Sequence, residues 1–273
     1  MALPARATAM DCPPVVTVGV SDLGYAAYVD HGVYRGVEID LVAELGKRTG
    51  CRFRIDWFPH GRLFVQLAGA SIDMALAGVR TRERDQFASW VPFAYTHSVL
   101  LLNDRSKNSY RSLEEFVDRG TERLNITRGN VYAPAVAAQL ARLEKQGRLE
   151  YVASYDLVFK KMQAGRADGT LSTPVIYLMY LRRLGMEDRV RAMPLAELSR
   201  SVTGAYLSNA NLNSAARRCI ADAIAAMLAD GTVQHIYARY LGEDKTRELF
   251  AGGVREIQDA SPTDPATLTP QSK

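Results

Sequence analysis

Several cationic side chains lie in short loops that follow hydrophobic runs of the chain. They are Arg62, Arg80, Arg84, Arg128 and His60. Few acids share these loops, and Asp22 is the main one. A guanidinium group donates charged, bidentate hydrogen bonds that match a carboxylate. The excess of arginine over acid therefore predicts a site for a carboxylate or dicarboxylate that needs no amine.

The hydrophobic pattern predicts two successive strand–helix–strand units in the first third of the chain. Strands are predicted over 15–20, 53–57 and 72–77, and helices over 36–49 and 62–70. Lys47 and Arg48 followed by Gly50 mark the end of the first helix. Such units build a parallel sheet with helices on its faces. Ligands of such sheets bind beyond the carboxyl ends of the strands, where the cationic loops lie.

A second α/β unit of similar size is predicted further along the chain. Its strands are predicted over 124–127, 151–153 and 169–171, and its helices over 132–145, 156–164 and 174–183. Two apolar runs, 98–102 and 202–207, are predicted to cross between the units. The first lobe is then 11–99 plus 205–255, and the second lobe is 103–200. Two lobes joined in this way can close on a ligand like a hinge.

Composition argues against several other classes of protein. Hydrophobic residues make up 47% and charged residues 23% of the 273 residues, as in soluble globular proteins. The net charge of +4 comes from 34 Lys and Arg scattered among 30 Asp and Glu, without the basic face of a nucleic-acid-binding protein. No apolar run is long enough to span a membrane. Four histidines and no CxxC motif predict no metal site, and no cofactor is expected.

Both ends of the chain fall outside the predicted lobes. Residues 1–10 lack an apolar stretch but carry the small residues Ala7 and Ala9 around Thr8, as before a signal-peptide cleavage site. They are interpreted as the remnant of a removed secretory signal, or as a flexible N-terminus. The first interpretation predicts a periplasmic protein. Residues 258–273 contain three prolines and no periodicity, which predicts disorder.

The cysteines point to the same compartment. Cys12 and Cys51 each come immediately before a predicted strand. If those strands are parallel neighbours, the two thiols lie at one edge of the sheet, where a disulfide can form in an oxidising compartment. Two unpaired thiols are the alternative. Cys219 lies on the apolar face of a predicted helix, which predicts a buried thiol.

Five short motifs stand in a fixed order between residues 16 and 242. They are Gly36-Val-Glu-Ile-Asp40-Leu, Leu67 with Ile72-Asp73, Thr81-Arg-Glu-Arg84 with Phe87 and Val91-Pro-Phe93, Gly165-Arg-Ala-Asp168, and Leu228-Ala-Asp-Gly231 with Ile236. Each is common alone, but in this order they make the chain resemble the solute-binding proteins of polar amino-acid ABC transporters. The resemblance implies a two-lobed α/β periplasmic-binding-protein (Venus-flytrap) fold, with two parallel-type sheets joined by a two-strand hinge.

The resemblance also implies roles for individual residues. Arg84 matches the arginine that holds the ligand carboxylate, and Gly78 matches a position where the backbone approaches the ligand. The turn Gly129-Asn130-Val131 matches the part of the second lobe that meets the same carboxylate. Tyr25 and His60 match positions where aromatic side chains sandwich the ligand.

Two further arginines are candidates from their loops alone. Arg62 and Arg80 either contact the ligand or are solvated cations and partners in salt bridges between the lobes. Tyr28 either contributes to the aromatic wall or covers the edge of the sheet.

The chain departs from the family pattern at two points. Where the family commonly has an aspartate that binds the ligand ammonium, five residues after Asp168, this chain has Thr173. A neutral hydroxyl cannot supply a negative charge, so either no ammonium is recognised or another acid, such as Asp22, supplies it. The segment 78–84 also looks one residue shorter than usual; the customary Ser or Thr donor is not obvious in it, and Arg80 is the candidate near that place.

The predicted function is capture of a small anionic solute, either an amino acid or an organic carboxylate, between the lobes. The protein then delivers the solute to the permease of an ABC transporter, and it is expected to be monomeric and not an enzyme. Two alternatives use the same scaffold: an enzyme similar to cyclohexadienyl dehydratase, which needs a positioned acid or base, and a periplasmic sensor domain.

Overall fold

The computed structural model describes residues 12–260 and the pair 269–270. Its strands are β1 (Val16–Val20), β2 (Tyr28–Asp30), β3 (Val33–Arg35), β4 (Phe53–Trp57), β5 (Met74–Val79), β6 (Ala88–Thr96), β7 (Val99–Asn103), β8 (Leu124–Thr127), β9 (Val131–Tyr132), β10 (Leu149–Val152), β11 (Gly169–Ser172), β12 (Val190–Met193), β13 (Ser201–Ser208) and β14 (Thr269–Pro270). Its helices are α1 (Val37–Thr49), α2 (His60–Ala68), α3 (Arg82–Asp85), α4 (Leu113–Arg119), α5 (Pro134–Lys145), α6 (Tyr155–Gln163), α7 (Pro174–Leu184), α8 (Ser214–Ala229), α9 (Thr232–Leu241), α10 (Glu243–Leu249) and α11 (Val254–Gln258).

The first sheet has the strand order β4-β1-β5-β13-β6. β4, β1 and β5 are parallel, as the βαβ pattern predicts, whereas β13 runs antiparallel to both β5 and β6. Val16, Val18 and Val20 of β1 are fully buried, because helices cover both faces of the sheet. Helices α1, α8 and α9 pack on one face and α2 on the other.

The second sheet repeats this arrangement with the order β10-β8-β11-β7-β12. β10, β8 and β11 are parallel, and β7 is antiparallel to both β11 and β12. Each sheet is therefore mixed rather than purely parallel. The name first lobe is used below for the first sheet with α1–α3 and α8–α11, and second lobe for the second sheet with α4–α7.

The two apolar runs predicted to cross between the lobes lie inside the sheets instead. Residues 98–102 largely coincide with β7, which is buried along its whole length in the second sheet, and 202–207 lie within β13 of the first sheet. The chain passes from one sheet to the other at 97–98, between β6 and β7, and at 194–200, between β12 and β13. Continuous apolar, β-branched runs are typical of central strands because both faces are covered, and this accounts for the difference.

Local sequence signals fix several helix ends. The side chains of Ser112, Ser154 and Asn213 each accept a hydrogen bond from a backbone N–H in the first turn of α4, α6 and α8. Gly50 and Gly185 adopt the left-handed conformation that ends α1 and α7. These ends set the lengths of the helices and therefore the positions of the loops between them.

Cys12 and Cys51 form a disulfide, with their Cα atoms 5.7 Å apart, and Cys219 lies outside it. The strands that follow them, β1 and β4, are parallel neighbours with Val16 opposite Phe53. Both cysteines therefore lie at the same edge of the first sheet, as predicted from the sequence for two parallel neighbouring strands.

The predicted signal remnant at 1–10 and most of the predicted disordered tail, 261–268 and 271–273, lie outside the described residues. The tail's first residue, Gln258, ends α11, and β14 pairs antiparallel with β9. Within the described part of the chain, no helix is both long and apolar enough to cross a membrane.

Candidate ligand-binding site

A cavity of about 900 Å³ lies between the two sheets. It is lined by residues from the strand ends of the first sheet, Ala77, Val79, Thr96 and Thr203, and from the end of β11 in the second sheet, Leu171 and Ser172. A volume of this order is typical of small-molecule sites. The parallel strands β5 and β11 meet the cavity at their carboxyl ends, the edge where open α/β sheets bind ligands.

Arg84 is the buried cation of this cavity, with 8% of its surface exposed. Its guanidinium carbon lies 3.4 Å from the centroid of the Phe64 ring, and Nη1 donates a hydrogen bond of 3.1 Å to the carbonyl oxygen of Val79. Burial lowers the pKa of Arg84 to about 10, so the group stays charged at neutral pH. Among the described residues, no carboxylate lies within ion-pair distance of it.

The short helix α3 holds Arg84 in place. The side chain of Thr81 accepts a hydrogen bond of 3.2 Å from the backbone N–H of Arg84 and caps the helix. The Thr81 N–H donates in turn to the hydroxyl of Tyr206, at 2.7 Å. Thr81 therefore fixes the start of α3 through both its side chain and its backbone N–H.

His60 begins α2 and lines the same cavity. Burial first, and the positive charge of Arg84 second, lower the pKa of His60 to about 4, while an interaction with Asn130 opposes this shift. The imidazole is therefore neutral at neutral pH, and its Nδ1 has no hydrogen-bond partner among the described residues. A neutral imidazole can accept or donate one hydrogen bond to a ligand without adding charge.

The second lobe contributes Asn130 in a fixed orientation. Its Nδ2 donates to the hydroxyls of Tyr155, at 3.0 Å, and Tyr132, at 3.2 Å, and its Oδ1 accepts from the Tyr155 hydroxyl at 3.1 Å. Gly129 and Val131, on either side of Asn130, also line the cavity.

Two helix N-termini of the second lobe open onto the cavity. Ala133 precedes α5 and Thr173 precedes α7, both line the cavity, and neither side chain caps its helix. Pro134 and Pro174 begin these helices and have no N–H, so the donors next to the cavity are the N–H groups of the second residues, Ala135 and Val175, at the positive end of each helix dipole. Ser172 adds a buried hydroxyl that has no hydrogen-bond partner among the described residues. This side of the cavity therefore favours an anion.

The acids that line the cavity are engaged or exposed, with one exception. Glu197 accepts the backbone N–H groups of Leu113 and Glu114, Glu256 is paired with Arg200 at 3.1 Å, and Asp259 is exposed. The exception is Glu38, which is 2% exposed.

The two lobes touch each other around the cavity. The backbone N–H of Tyr25 donates to the carbonyl oxygen of Val175 at 2.7 Å, and the hydroxyl of Tyr180 donates to Asp22 at 2.7 Å. On the other side, a Cβ added at Gly129 would lie 2.8 Å from the Cα of Gly61. The structure is therefore a closed arrangement of the lobes.

The cavity brings together six of the residues predicted from the sequence as ligand-binding. They are Arg84, His60, Gly129, Asn130, Val131 and Thr173. Their contact with a ligand stays a prediction. Phe64, Ser172 and Glu38 also line the cavity and were missed, because the sequence pattern marks Phe64 and Glu38 as ordinary helix residues and Ser172 as a strand end.

Four other predicted residues lie outside the lining of the cavity. Tyr25 packs against Tyr28 and Tyr240, with ring centroids 6.2 and 6.0 Å away. Arg62 is exposed, and Arg80 is paired with Asp85 at 2.8 Å. The carbonyl of Gly78 accepts from the Trp90 indole at 2.9 Å. Tyr25, Arg80 and Gly78 therefore have partners within the protein, whereas Arg62 faces solvent.

Comparisons with known proteins agree with this architecture. The solved structure of an ancestral arginine-binding protein bound to arginine matches with a TM-score of 0.69 and 18% identity, covering 84% of this chain and 99% of that one. A putative L-cystine ABC transporter from Listeria monocytogenes matches with a TM-score of 0.67 and 20% identity, covering 85% and 98%. A histidine kinase sensor domain with similarity to periplasmic binding proteins matches with a TM-score of 0.68 and 16% identity, covering 84% and 96%.

These likenesses confirm the two-lobed fold of periplasmic binding proteins. A comparison with curated proteins found no match. The model of one family covers residues 16–243, nearly the whole described chain. The chain belongs to the bacterial extracellular solute-binding proteins, family 3.

Proposed function

We propose that this protein binds a small carboxylate, either an amino acid or an organic acid, in the cavity between its lobes and delivers it to the permease of an ABC transporter outside the cytoplasmic membrane. The observation that carries this proposal is the buried guanidinium of Arg84, which faces the cavity without a carboxylate partner among the described residues. A buried cation of this kind is costly unless it is paired, and a ligand carboxylate supplies the pair.

The residues around the cavity give a mechanism of capture. The carboxylate docks on Arg84 in the first lobe, where the Phe64 ring lies against the guanidinium group. Closure then brings Asn130 and the uncapped N-termini of α5 and α7 toward the same anion. The ligand shifts the population toward the closed form only as far as it binds that form more tightly.

The experiment is a binding screen on refolded protein, from which carried-over ligand has been removed. The panel contains amino acids, dicarboxylates, aromatic acids and polyamines. A ligand at about 100 times its Kd adds roughly 2.7 kcal/mol to the free energy of unfolding, which raises Tm by about 5–10 °C in a chain of this size. A screen in which no carboxylate raises Tm contradicts the proposal.

Two arginine variants test the role of the cavity. Arg84→Met removes the unpaired guanidinium, and we expect it to weaken carboxylate binding roughly 30-fold or more while leaving Tm of the ligand-free protein unchanged or raised. Arg80→Met removes the arginine that is paired with Asp85 outside the cavity, and we expect binding near that of the wild type. If Arg84→Met binds the carboxylate as tightly as Arg80→Met and the wild type do, Arg84 is not part of the site.

The likeness to a histidine kinase sensor domain supports sensing as a second candidate. Deletion of the gene separates the two roles once a ligand is known. Loss of cellular uptake of that ligand supports delivery to a permease, whereas intact uptake with altered gene expression supports a sensor. Recovery of the ligand chemically unchanged after incubation with the protein tests binding against the dehydratase-like alternative.

A further inference from the structure

Two polar atoms buried in the wall of the cavity are not used by the capture of a carboxylate on Arg84. They are Nδ1 of His60 and the hydroxyl oxygen of Ser172, and both residues line the cavity. Neither atom has a hydrogen-bond partner among the described residues. A buried polar atom without a partner is destabilising, so the two atoms point to a polar group of the ligand that meets them.

His60 lies close to Arg84. It precedes Phe64 by one turn of α2, so the two side chains lie on the same face of that helix. The centroid of the Phe64 ring is 3.4 Å from the guanidinium carbon of Arg84. After burial, the charge of Arg84 is the second cause of the low pKa of His60. A carboxylate held by Arg84 therefore brings the substituent on its neighbouring carbon, C2, toward His60.

The free ring nitrogen of His60 is a hydrogen-bond acceptor. Burial lowers the pKa of His60 to about 4, so the imidazole is neutral at neutral pH. Its other nitrogen, Nε2, hydrogen-bonds with the side chain of Asn130, and this bond raises the pKa. A bond that raises the pKa favours the protonated nitrogen, so Nε2 is the donor in it. A neutral imidazole carries one N–H, which leaves Nδ1 to accept from a ligand.

Ser172 lies at the same edge of the second sheet as Asn130. Strands β8 and β11 are parallel neighbours, so their carboxyl ends meet at one edge. Ser172 is the last residue of β11, and Asn130 follows shortly after the end of β8. The hydrogen bond between Asn130 and His60 brings this edge to the imidazole. A serine hydroxyl donates as well as accepts, so Ser172 offers the donor that the His60 nitrogen lacks.

We propose that the ligand is a 2-hydroxycarboxylate, whose hydroxyl on C2 donates to Nδ1 of His60 and accepts from the hydroxyl of Ser172. The proposal rests on the proposed function, because Arg84 holds the carboxylate. A single hydroxyl satisfies both free atoms. A 2-oxo group only accepts, and an unsubstituted C2 neither donates nor accepts, so both leave Nδ1 buried without a partner.

The same surroundings disfavour an ammonium group on C2. The ligand carboxylate neutralises Arg84, so an ammonium beside it is a second buried cation and needs an acid of its own. Among the acids that line the cavity, Glu197 and Glu256 have partners in the protein and Asp259 is exposed. Burial raises the pKa of Glu38 to about 8, without a contribution from the charge of Arg84, so Glu38 is mostly uncharged at neutral pH.

The experiment measures Kd by isothermal titration calorimetry for sets of acids that share a carbon skeleton and differ only at C2. Each set holds the 2-hydroxy acid, the 2-oxo acid, the 2-amino acid and the unsubstituted acid, with both enantiomers where C2 is chiral. The skeletons are propanoate, 3-phenylpropanoate, pentanedioate, and that of the carboxylate with the largest Tm shift in the screen. For the skeleton that binds best, we expect the 2-hydroxy acid to bind roughly 10- to 100-fold more tightly than the oxo and unsubstituted acids, as for an unmade buried hydrogen bond. It should also bind more tightly than the amino acid.

Two variants assign the preference to the two side chains. In His60→Phe, which keeps an aromatic ring, and in Ser172→Ala, the preference for the hydroxy acid over the unsubstituted acid should fall by roughly fivefold or more. The Kd of the unsubstituted acid should not rise, because that acid makes neither hydrogen bond. Ser199→Ala is the control, since Ser199 lines the same cavity but is exposed in the segment between the sheets. It should keep the full preference.

The outcomes separate this inference from the proposed function. If the unsubstituted or the amino acid binds as tightly as the hydroxy acid, or if the preference survives in both variants, the inference is wrong and carboxylate capture stands. If no carboxylate in the screen or in the sets binds, carboxylate capture itself fails. Should His60→Phe fail to fold, the Kd ratios of the wild type and of Ser172→Ala still decide.

Discussion

The hydroxyl of Tyr180 in the second lobe lies 2.7 Å from the carboxylate of Asp22 in the first lobe and donates a hydrogen bond to it. A second contact between the lobes, the hydrogen bond from the Tyr25 backbone N–H to the Val175 carbonyl oxygen, is also 2.7 Å long. Both contacts use groups of the protein alone. Closure therefore has a favourable energy of its own, to which the ligand adds.

Tyr180→Phe should remove the hydrogen bond to Asp22 without disturbing the fold. The ring of Tyr180 stacks on Phe159 with centroids 5.0 Å apart, and a phenylalanine ring keeps that contact. A hydrogen bond to a charged group contributes about 1.5–3 kcal/mol, so the open form gains population. We expect a larger radius of gyration in X-ray scattering of the ligand-free protein and a Kd raised by about tenfold. Tyr34→Phe is the control, since Tyr34 is exposed and its ring stacks on Trp57 within the first lobe. Identical scattering from the wild type and Tyr180→Phe would show that the hydrogen bond between Tyr180 and Asp22 does not favour the closed form.

Gly129→Ala should prevent full closure. A Cβ at this position would lie 2.8 Å from the Cα of Gly61 across the cleft, and φ is +87°. Gly147→Ala is a matched control, because Gly147 has a φ of +68° and open space around its Cβ position. Both variants share the backbone strain of about 1–2 kcal/mol, so both should lose similar stability. Only Gly129→Ala should lose ligand affinity as well. Equal Kd values for the two variants would show that Gly129 and Gly61 do not limit closure.

The sequence predicted the parallel strands well, because hydrophobic periodicity reports burial locally. The first strand was predicted over 15–20, and β1 spans Val16–Val20. The runs at 98–102 and 202–207 were predicted as strands but assigned to crossings, and they are the antiparallel members of the two sheets. Apolar composition shows that a strand is buried. It does not show which partners the strand pairs with, since pairing depends on residues about a hundred positions away.

The candidate site, like the fold, was predicted only in part from the sequence. The motif of the α3 loop contains both Arg80 and Arg84, and the sequence does not show that Asp85 pairs with the first while the second stays buried and unpaired. Glu38 was missed because an acid in the first turn of a helix usually faces solvent and stabilises the helix dipole. Its burial involves residues remote in sequence, such as Tyr237, with which it interacts. The motif residues Asp40, Asp73 and Asp168 have structural partners: they accept hydrogen bonds from Tyr240, Thr17 and Arg123 respectively.

The Cys12–Cys51 disulfide should be detectable by counting thiols. Under denaturing, non-reducing conditions, we expect one reactive thiol per chain, from Cys219, and three after reduction. The bond closes a sequence separation of 39 residues, and a loop of this length corresponds to about 4 kcal/mol of stabilisation by chain entropy. The variant Cys12→Ser/Cys51→Ser should therefore unfold at lower urea concentration, with an m-value equal to or higher than that of the wild type because its unfolded chain is less constrained. Three thiols in protein isolated from an oxidising compartment would contradict the bond.

The stability of the protein should decrease from acidic to mildly alkaline pH through Glu38. Its pKa is 4.5 in the unfolded chain and about 8 in the folded chain because of burial. Between these values the folded state holds one more proton than the unfolded state, so the free energy of unfolding falls as pH rises, by at most about 5 kcal/mol from this group.

Urea unfolding of the ligand-free wild type and of Glu38→Gln at pH 5 and pH 8.5 isolates the effect. His60, whose pKa is lowered to about 4, acts in the opposite direction below pH 6.5, but equally in both proteins. The wild type should lose several kcal/mol more than Glu38→Gln between the two pH values. Parallel losses in the two proteins would mean that Glu38 is already ionised in the folded chain, with water or a side chain as its partner.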